Sequence, residues 1–273
     1  MVRAARVFRT LDYREKRKAV TALVPDEPRA APDCEDGVAR LDGCELAKEA
    51  QGWAEVPLID VQEVPLPTAL DERLVLLREP ASERARGYRL LRHVLVARSD
   101  PRVISVTSAL SGEGKTTCAL NLALAIAEDA LTSVLLIEAN LRRPSIGRAL
   151  GFVPLRSLVE ETTRYTEVGP PYPVASVSGS RLHVAALPPV ALAQNRLDRT
   201  LFSVALSDLR GAYDYVVVDS ASVLESGDVD VVGECSDAVI VTARAGLSSK
   251  DATRRAVAQL RPAPVLGSVL VDA

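Results

Sequence analysis

The sequence predicts an α/β fold, a mostly parallel central sheet flanked by helices and preceded by a flexible N-terminal extension. Three observations carry this expectation. Six short runs, among them RVISVTS (102–108), SVLLIEA (133–139) and YDYVVVDS (213–220), are apolar almost throughout rather than alternating, as strands buried on both faces are. Helical stretches separate several of them, so the strands can run parallel with their crossovers packed on the sheet. A glycine-bearing turn, SGEGKTT (111–117), falls directly between the first run and a helix, where sheets of this kind bind anions.

Taken in chain order, residues 1–20 are rich in arginine and lysine, and 21–65 are acidic and punctuated by prolines. Neither part shows sustained periodicity. Residues 1–70 therefore read as flexible, with a short ordered piece around Trp53 to Val64, and the domain proper is expected over 71–273. The basic tip suits a solvated tail or contact with anionic lipid. SERARGYRLLRHVLVA (82–97) predicts a helix, with Leu90, Leu91, Val94 and Leu95 on its apolar face and Glu83, Arg86, Arg89 and Arg92 on another. His93 within it reads as a packed or partly exposed core histidine rather than a ligand. Further strands are expected at 181–187, 237–243 and 265–271, and helices at 115–128, 198–210 and 248–260.

The composition excludes several classes. A chain of 273 residues, 48% hydrophobic and 25% charged, suits one large domain with an appendage. Aromatics are only 4%, so the core must be aliphatic. A net charge of −3 gives no reason to expect a nucleic-acid partner. Cys34, Cys44, Cys118 and Cys235 are scattered, and only His93 and His183 accompany them; this argues against a zinc cluster and for reduced cytosolic thiols. No apolar run reaches the roughly 18 residues that span a bilayer, so attachment to a membrane would run through a partner or a surface charge.

The chemistry concentrates in VISVTSALSGEGKTTCALNLALAIAE. Its glycines allow a tight turn that aims backbone N–H groups inward, and the helix start adds partial positive charge. Ser111, Gly112, Glu113, Gly114, Lys115, Thr116 and Thr117 are thus candidates to cradle the phosphates of ATP. Lys115 can reach the β- and γ-phosphates, and the Thr116 hydroxyl can ligate Mg²⁺. The strict pattern wants glycine at 109, where Ala109 stands, but the strand–loop–helix context meets the motif's structural requirement. Asp219, ending the apolar strand YDYVVVDS, takes the role of the acid that holds Mg²⁺. Asp228 suits a further polar contact or a helix cap equally. A third strand runs into an acid in VLLIEANLRRP (134–144), where Glu138 is followed by the neutral Asn140.

With these segments in hand, the chain from about Leu74 to Asp272 resembles the bacterial tyrosine kinases of capsule and exopolysaccharide synthesis. These sit in a wider group of P-loop ATPases that includes the partition and cell-division ATPases. The resemblance implies an ATP- and Mg²⁺-binding protein that transfers the γ-phosphate to protein tyrosine. It also implies a cytoplasmic location, peripheral to the inner face of the membrane through a membrane-embedded regulator of polysaccharide chain length or export. The family's additional motif, D-x-D-x-R after an apolar strand, falls on Glu138, Asn140 and Arg142. By resemblance Glu138 serves as base or metal partner beside Thr116 and Asp219, and Arg142 steadies the acidic strand end. Asn140 keeps a polar contact to the nucleotide but cannot accept a proton.

The chain also departs from the family. D-T/S-P-P after the Asp219 strand is here Asp219-Ser220-Ala221-Ser222. The family's E-x-x-R-x-x-R, linked to ring-like self-association, is matched at Arg89 and Arg92 with Arg86 in the glutamate's place; a homo-oligomer contact and a solvated face stay open alike. None of the six tyrosines lies in a C-terminal tyrosine cluster. Tyr165 and Tyr172 are the expected accessible targets, with Tyr213 and Tyr215 structural. Three functions follow: a kinase, an ATP-binding regulatory module of the same pathway without phosphoryl transfer, or a partition-type or cell-division-type ATPase. The last carries a second lysine near the start of the loop, where this chain has Leu110.

Overall fold

The computed structural model describes residues 59–98, 101–159, 172–189 and 196–271. Among them eight strands form one sheet: β1 (Ile59–Val64), β2 (Val103–Ser108), β3 (Val134–Glu138), β4 (Tyr172–Val177), β5 (Leu182–Ala185), β6 (Tyr215–Ser222), β7 (Ala238–Arg244) and β8 (Val265–Val271). Their order is β1-β4-β5-β3-β6-β2-β7-β8. Every neighbouring pair is parallel except β4 and β5, which run antiparallel. The helices are α1 (Val75–Arg78), α2 (Glu83–Arg98), α3 (Lys115–Ala127), α4 (Ile146–Ala149), α5 (Arg199–Ala212), α6 (Asp228–Glu234) and α7 (Lys250–Gln259).

Side chains alternate across a strand, and here both sides are greasy. On β2, Ile104 and Val106 enter the cluster that holds α1, α2 and α3, whereas Val103 enters the cluster that holds α5. On β3, Val134 and Leu136 take the first side, Leu135 and Ile137 the second. Burying one such side chain is worth about 1.5–3 kcal/mol, so a polar residue on either face would be costly. Helix α3 lies between the sheet and α2, and it is buried from Cys118 to Ala127. A third cluster joins α7 to the end of β6 and to Val239 and Val241 of β7, and Ala109 packs in it, fully buried. The residue that breaks the strict loop pattern is thus a core methyl.

The chain refines several expectations. Within the extension, the ordered piece expected around Trp53 to Val64 takes the form, at 59–64, of β1, an edge strand of the sheet paired with β4; residues 1–58 lie outside the described residues. On α2 the buried residues are Ala85, Tyr88 and Leu95, while Leu90 is 62% exposed and Val94 37%. Leu90 and Val94 share a helical face with Gly87 and not with Tyr88 and Leu95, so four consecutive-looking leucines and valines do not make one stripe. His93 is exposed rather than a core residue. Arg89 bonds both oxygens of Glu128 and the carbonyl of Pro80, and Arg92 bonds the carbonyl of Ala125 near the end of α3. Both arginines are therefore engaged within the chain.

Candidate functional site

Strands β3, β6 and β2 are neighbours in the middle of the sheet, and the segments that follow their carboxyl ends meet at that end of the sheet. Gly112 and Gly114 both adopt φ 84°, a left-handed conformation that strains any residue with a Cβ. At Gly114, the first flank of α3, an added Cβ would also stand 3.1 Å from Val271 of β8. The loop between them closes through Glu113, whose carboxylate accepts from the Leu110 amide at 2.9 Å and the Ser248 hydroxyl at 2.6 Å. Glu113 thus shapes the loop with its side chain and leaves its backbone amide for a ligand.

Two side chains from the first turn of α3 reach across to β6. Thr116 Oγ1 donates to Asp219 Oδ2 at 2.8 Å, and Lys115 Nζ donates to Ser222 Oγ at 3.0 Å. Asp219 is fully buried, and its second oxygen, Oδ1, has no partner. Burial, reinforced by the charge of Glu138, pushes its carboxyl up to about 7 against the pull of Thr116, Lys115 and Arg73. Burial likewise lowers the Lys115 ammonium, with Asp219, Glu225 and Glu113 opposing. A buried carboxylate oxygen without a donor is costly. Beside a threonine hydroxyl at the foot of an anion-binding loop, it fits a hard, oxygen-seeking cation such as Mg²⁺, which Thr116 and Asp219 would hold.

Glu138 stands opposite Asp219 in the β3–β6 register, as an acid at that strand end should. Its carboxylate, however, is consumed by the backbone. Oε1 accepts from the amides of Ser145 at 2.5 Å and Ile146 at 2.9 Å, and Oε2 accepts from Leu187 at 2.9 Å. Burial raises its carboxyl above the ordinary range although all three amides pull it down. The extra methylene that distinguishes Glu138 from an aspartate is what lets it reach the start of α4 and the exit of β5.

Asn140, Arg142, Arg143 and Ser111 line a cleft of about 380 Å³ together with Ala221, Ser222, Glu225 and Ser226. Arg143 donates to Ser111 Oγ at 2.6 Å, and Arg142 lines the same space. Thr117 lies one residue further along α3, its carbonyl accepting from Asn121. The structure therefore brings together Ser111, Lys115, Thr116, Asn140, Arg142 and Asp219, and it turns the Glu138 and Glu113 side chains elsewhere. Asp228 is the first residue of α6, with Gly227 at the cap position, so it does not cap the helix; its carboxylate accepts from Ser226, which lines the cleft, and from the Leu197 amide at 3.3 Å.

Three residues escape a sequence reading. Ser222 depends on a register shift in the β2–β6 pairing between Val106 and Ser108, which sets Ser108 opposite Ser222. Arg143 is signalled only by the doubled arginine in LRRP. Arg73, bidentate to Asp71, is carried to the site by distant contacts; its charge lowers the carboxyls of both Glu138 and Asp219. Of the tyrosines proposed as accessible, Tyr172 is buried at the head of β4 with its hydroxyl on Asp208 at 2.7 Å, a correction. Tyr165 lies outside the described residues. Tyr213 is buried against His183.

The comparisons with known proteins point the same way. No family model matches the chain. It is 27% identical over 194 residues to the tyrosine-protein kinase YwqD of Bacillus subtilis, covering 68% of this chain and 79% of that one. It is 31% identical over 169 residues to the succinoglycan biosynthesis transport protein ExoP of Rhizobium meliloti, covering 60% of this chain but only 21% of ExoP. Among solved structures, the kinase domain of the Escherichia coli tyrosine kinase ETK superposes with a TM-score of 0.62 at 22% identity, over 87% of this chain and 95% of that one. The septum site-determining protein MinD of Pyrococcus horikoshii, solved with Mg-ADP, superposes at 0.52 and 19%, over 62% and 69%. At those identities the structural likeness concerns the fold. The relatives of this chain thus include a bacterial tyrosine-protein kinase and a polysaccharide transport protein, and its fold is the P-loop fold that the ETK kinase domain shares with MinD.

Proposed function

We propose that the chain binds Mg²⁺–ATP at the β2–α3 loop and acts as a tyrosine-kinase-like protein in the synthesis or export of a polysaccharide. The observation that carries this reading is the bond from Thr116 to Asp219 at 2.8 Å, with the second carboxylate oxygen left without a partner. The amides of 112–116 and the Lys115 ammonium offset charge on the β- and γ-phosphates. A bound Mg²⁺ supplies further charge neutralisation, held by Thr116 and Asp219. Arg142 and Arg143 face the cleft by which an acceptor hydroxyl would approach, and Arg143 is steadied by Ser111. The polysaccharide pathway is taken from the name of ExoP, and a membrane-embedded regulator of chain length or export is the partner that the family resemblance implies. Among the described residues no helix is long and apolar enough to cross a membrane, which suits attachment through such a partner at the inner face.

A second reading is favoured by the bonding of Glu138 to three amides and the neutrality of Asn140. Neither leaves a free carboxylate to take the acceptor's proton. On that reading the protein binds ATP and regulates without transferring phosphate. Incubation with labelled ATP and Mg²⁺, followed by phosphotyrosine detection on the chain and on added tyrosine peptides, separates the two. A signal abolished by Lys115→Ala supports the kinase. ATP binding without phosphotyrosine supports the regulatory module, and absence of nucleotide binding removes both.

A further inference from the structure

We propose that Ser222 is the γ-phosphate contact that lets this site distinguish ATP from ADP, an inference that rests on the ATP-binding reading above. Ser222 is only 4% exposed, yet it lines the cleft beside Ser111, Asn140 and Arg143. Its hydroxyl oxygen accepts from Lys115 Nζ at 3.0 Å. A hydroxyl has one proton to give as well as lone pairs to accept with, and among the described residues the Ser222 side chain donates to no protein group. A buried donor left in that state calls for a partner.

The placement of that partner follows from Lys115. A loop lysine of this kind reaches the outer phosphates, so a hydroxyl 3.0 Å from its ammonium stands at the outer end of the phosphate track. The two donors side by side, one charged and one neutral, form a seat for an oxyanion. Backbone geometry puts Ser222 there. In the β2–β6 ladder Val106 pairs with Asp219, so an unbroken register would set Ala221 opposite Ser108; the shift sets Ser222 there instead. Bulges of this sort re-aim side chains near functional sites. Asp219 and Ser222, on one strand, thus divide the work, with the acid under the metal position and the hydroxyl at the far phosphate. The β-phosphate, held by the loop amides, does not need Ser222, and ADP lacks the group that does.

The test is calorimetry on the full chain with Mg²⁺ and either ADP or a non-hydrolysable ATP analogue. Ser222→Ala is expected to leave ADP affinity within about twofold and to weaken the analogue roughly tenfold, the loss of one hydrogen bond to a charged group. Ser222→Thr, which keeps the hydroxyl, is expected to restore the preference. Equal losses for both nucleotides would reduce Ser222 to a prop for Lys115 and overturn the proposal, as would an unchanged affinity for the analogue. Wild-type protein that binds ADP alongside either of those results sinks only the Ser222 assignment. Wild-type protein that binds neither nucleotide sinks the ATP reading, and this inference with it.

Discussion

Glu138 shows how one methylene changes a residue's work. An aspartate at this strand end would stop short of the Ser145, Ile146 and Leu187 amides; the glutamate reaches all three. Glu138→Gln should therefore lower stability, because an amide NH₂ must then face a backbone donor. A loss of about 1–3 kcal/mol is expected, read as a lower denaturation midpoint, with ADP affinity retained. Unchanged stability with weakened Mg²⁺-dependent ATP binding would instead return Glu138 to the metal. The strand–loop–helix placement of Gly112, Gly114, Lys115 and Thr116 was legible in the sequence because these residues are close neighbours in the chain. Ser222 was not, since its partnership depends on a register shift between strands separated by more than a hundred residues. Glu138's position was legible but its bonding was not, because the donors come from α4 and the segment after β5.

At the scale of elements, α3 is held by more than apolar contact. Asn121, fully buried on it, accepts from the Leu76 amide at 3.0 Å and donates to the carbonyls of Arg73 and Thr117 at 2.6 and 2.7 Å. One side chain thereby ties the segment before α1 to the helix that carries Lys115. Asn121→Ala strands a buried amide and carbonyl, and should cost about 2–3 kcal/mol in urea unfolding; a loss under 1 kcal/mol would show that water replaces the clasp. The strands β2, β3, β5, β6 and β7 were legible from apolar runs buried on both faces, β8 from an apolar run that lies instead at the exposed edge of the sheet, and α2, α3, α5 and α7 from their spacing. The short α1, α4 and α6, of 4, 4 and 7 residues, carry too few turns to print a period. Strand β4 was missed, and β1 was legible only as an ordered piece of no stated type, because YPVASV and IDVQEV mix polar residues or a proline into near-edge and edge positions.

For the whole molecule, the acid side of the stability profile should depend on Asp71. Its carboxyl is held at about 2, below its ordinary 3.8, chiefly by the side-chain bond from Arg73. A lowered carboxylate contributes stability that is complete above about 3.8 and lost as pH falls through 2. The pair is partly solvated, so about 1 kcal/mol is expected rather than the full shift. Asp71→Asn should be less stable than the parent by that amount at pH 7, and the gap should close as pH falls toward 2. A gap that persists into acid would show that Asp71 works through packing and not through charge.

The reversed edge of the sheet has a practical corollary. Strand β1 follows β4, which runs against β5 and all the strands beyond it, so Ile59 lies at the same end of the sheet as the phosphate loop, and Val64 at the opposite end. Five strand spacings separate β1 from β2 in the order, roughly 24 Å sideways. A donor dye anchored at Ile59 and a fluorescent nucleotide in the proposed site would therefore sit well inside resonance-transfer range, a ruler for occupancy that leaves every candidate phosphate-binding side chain untouched.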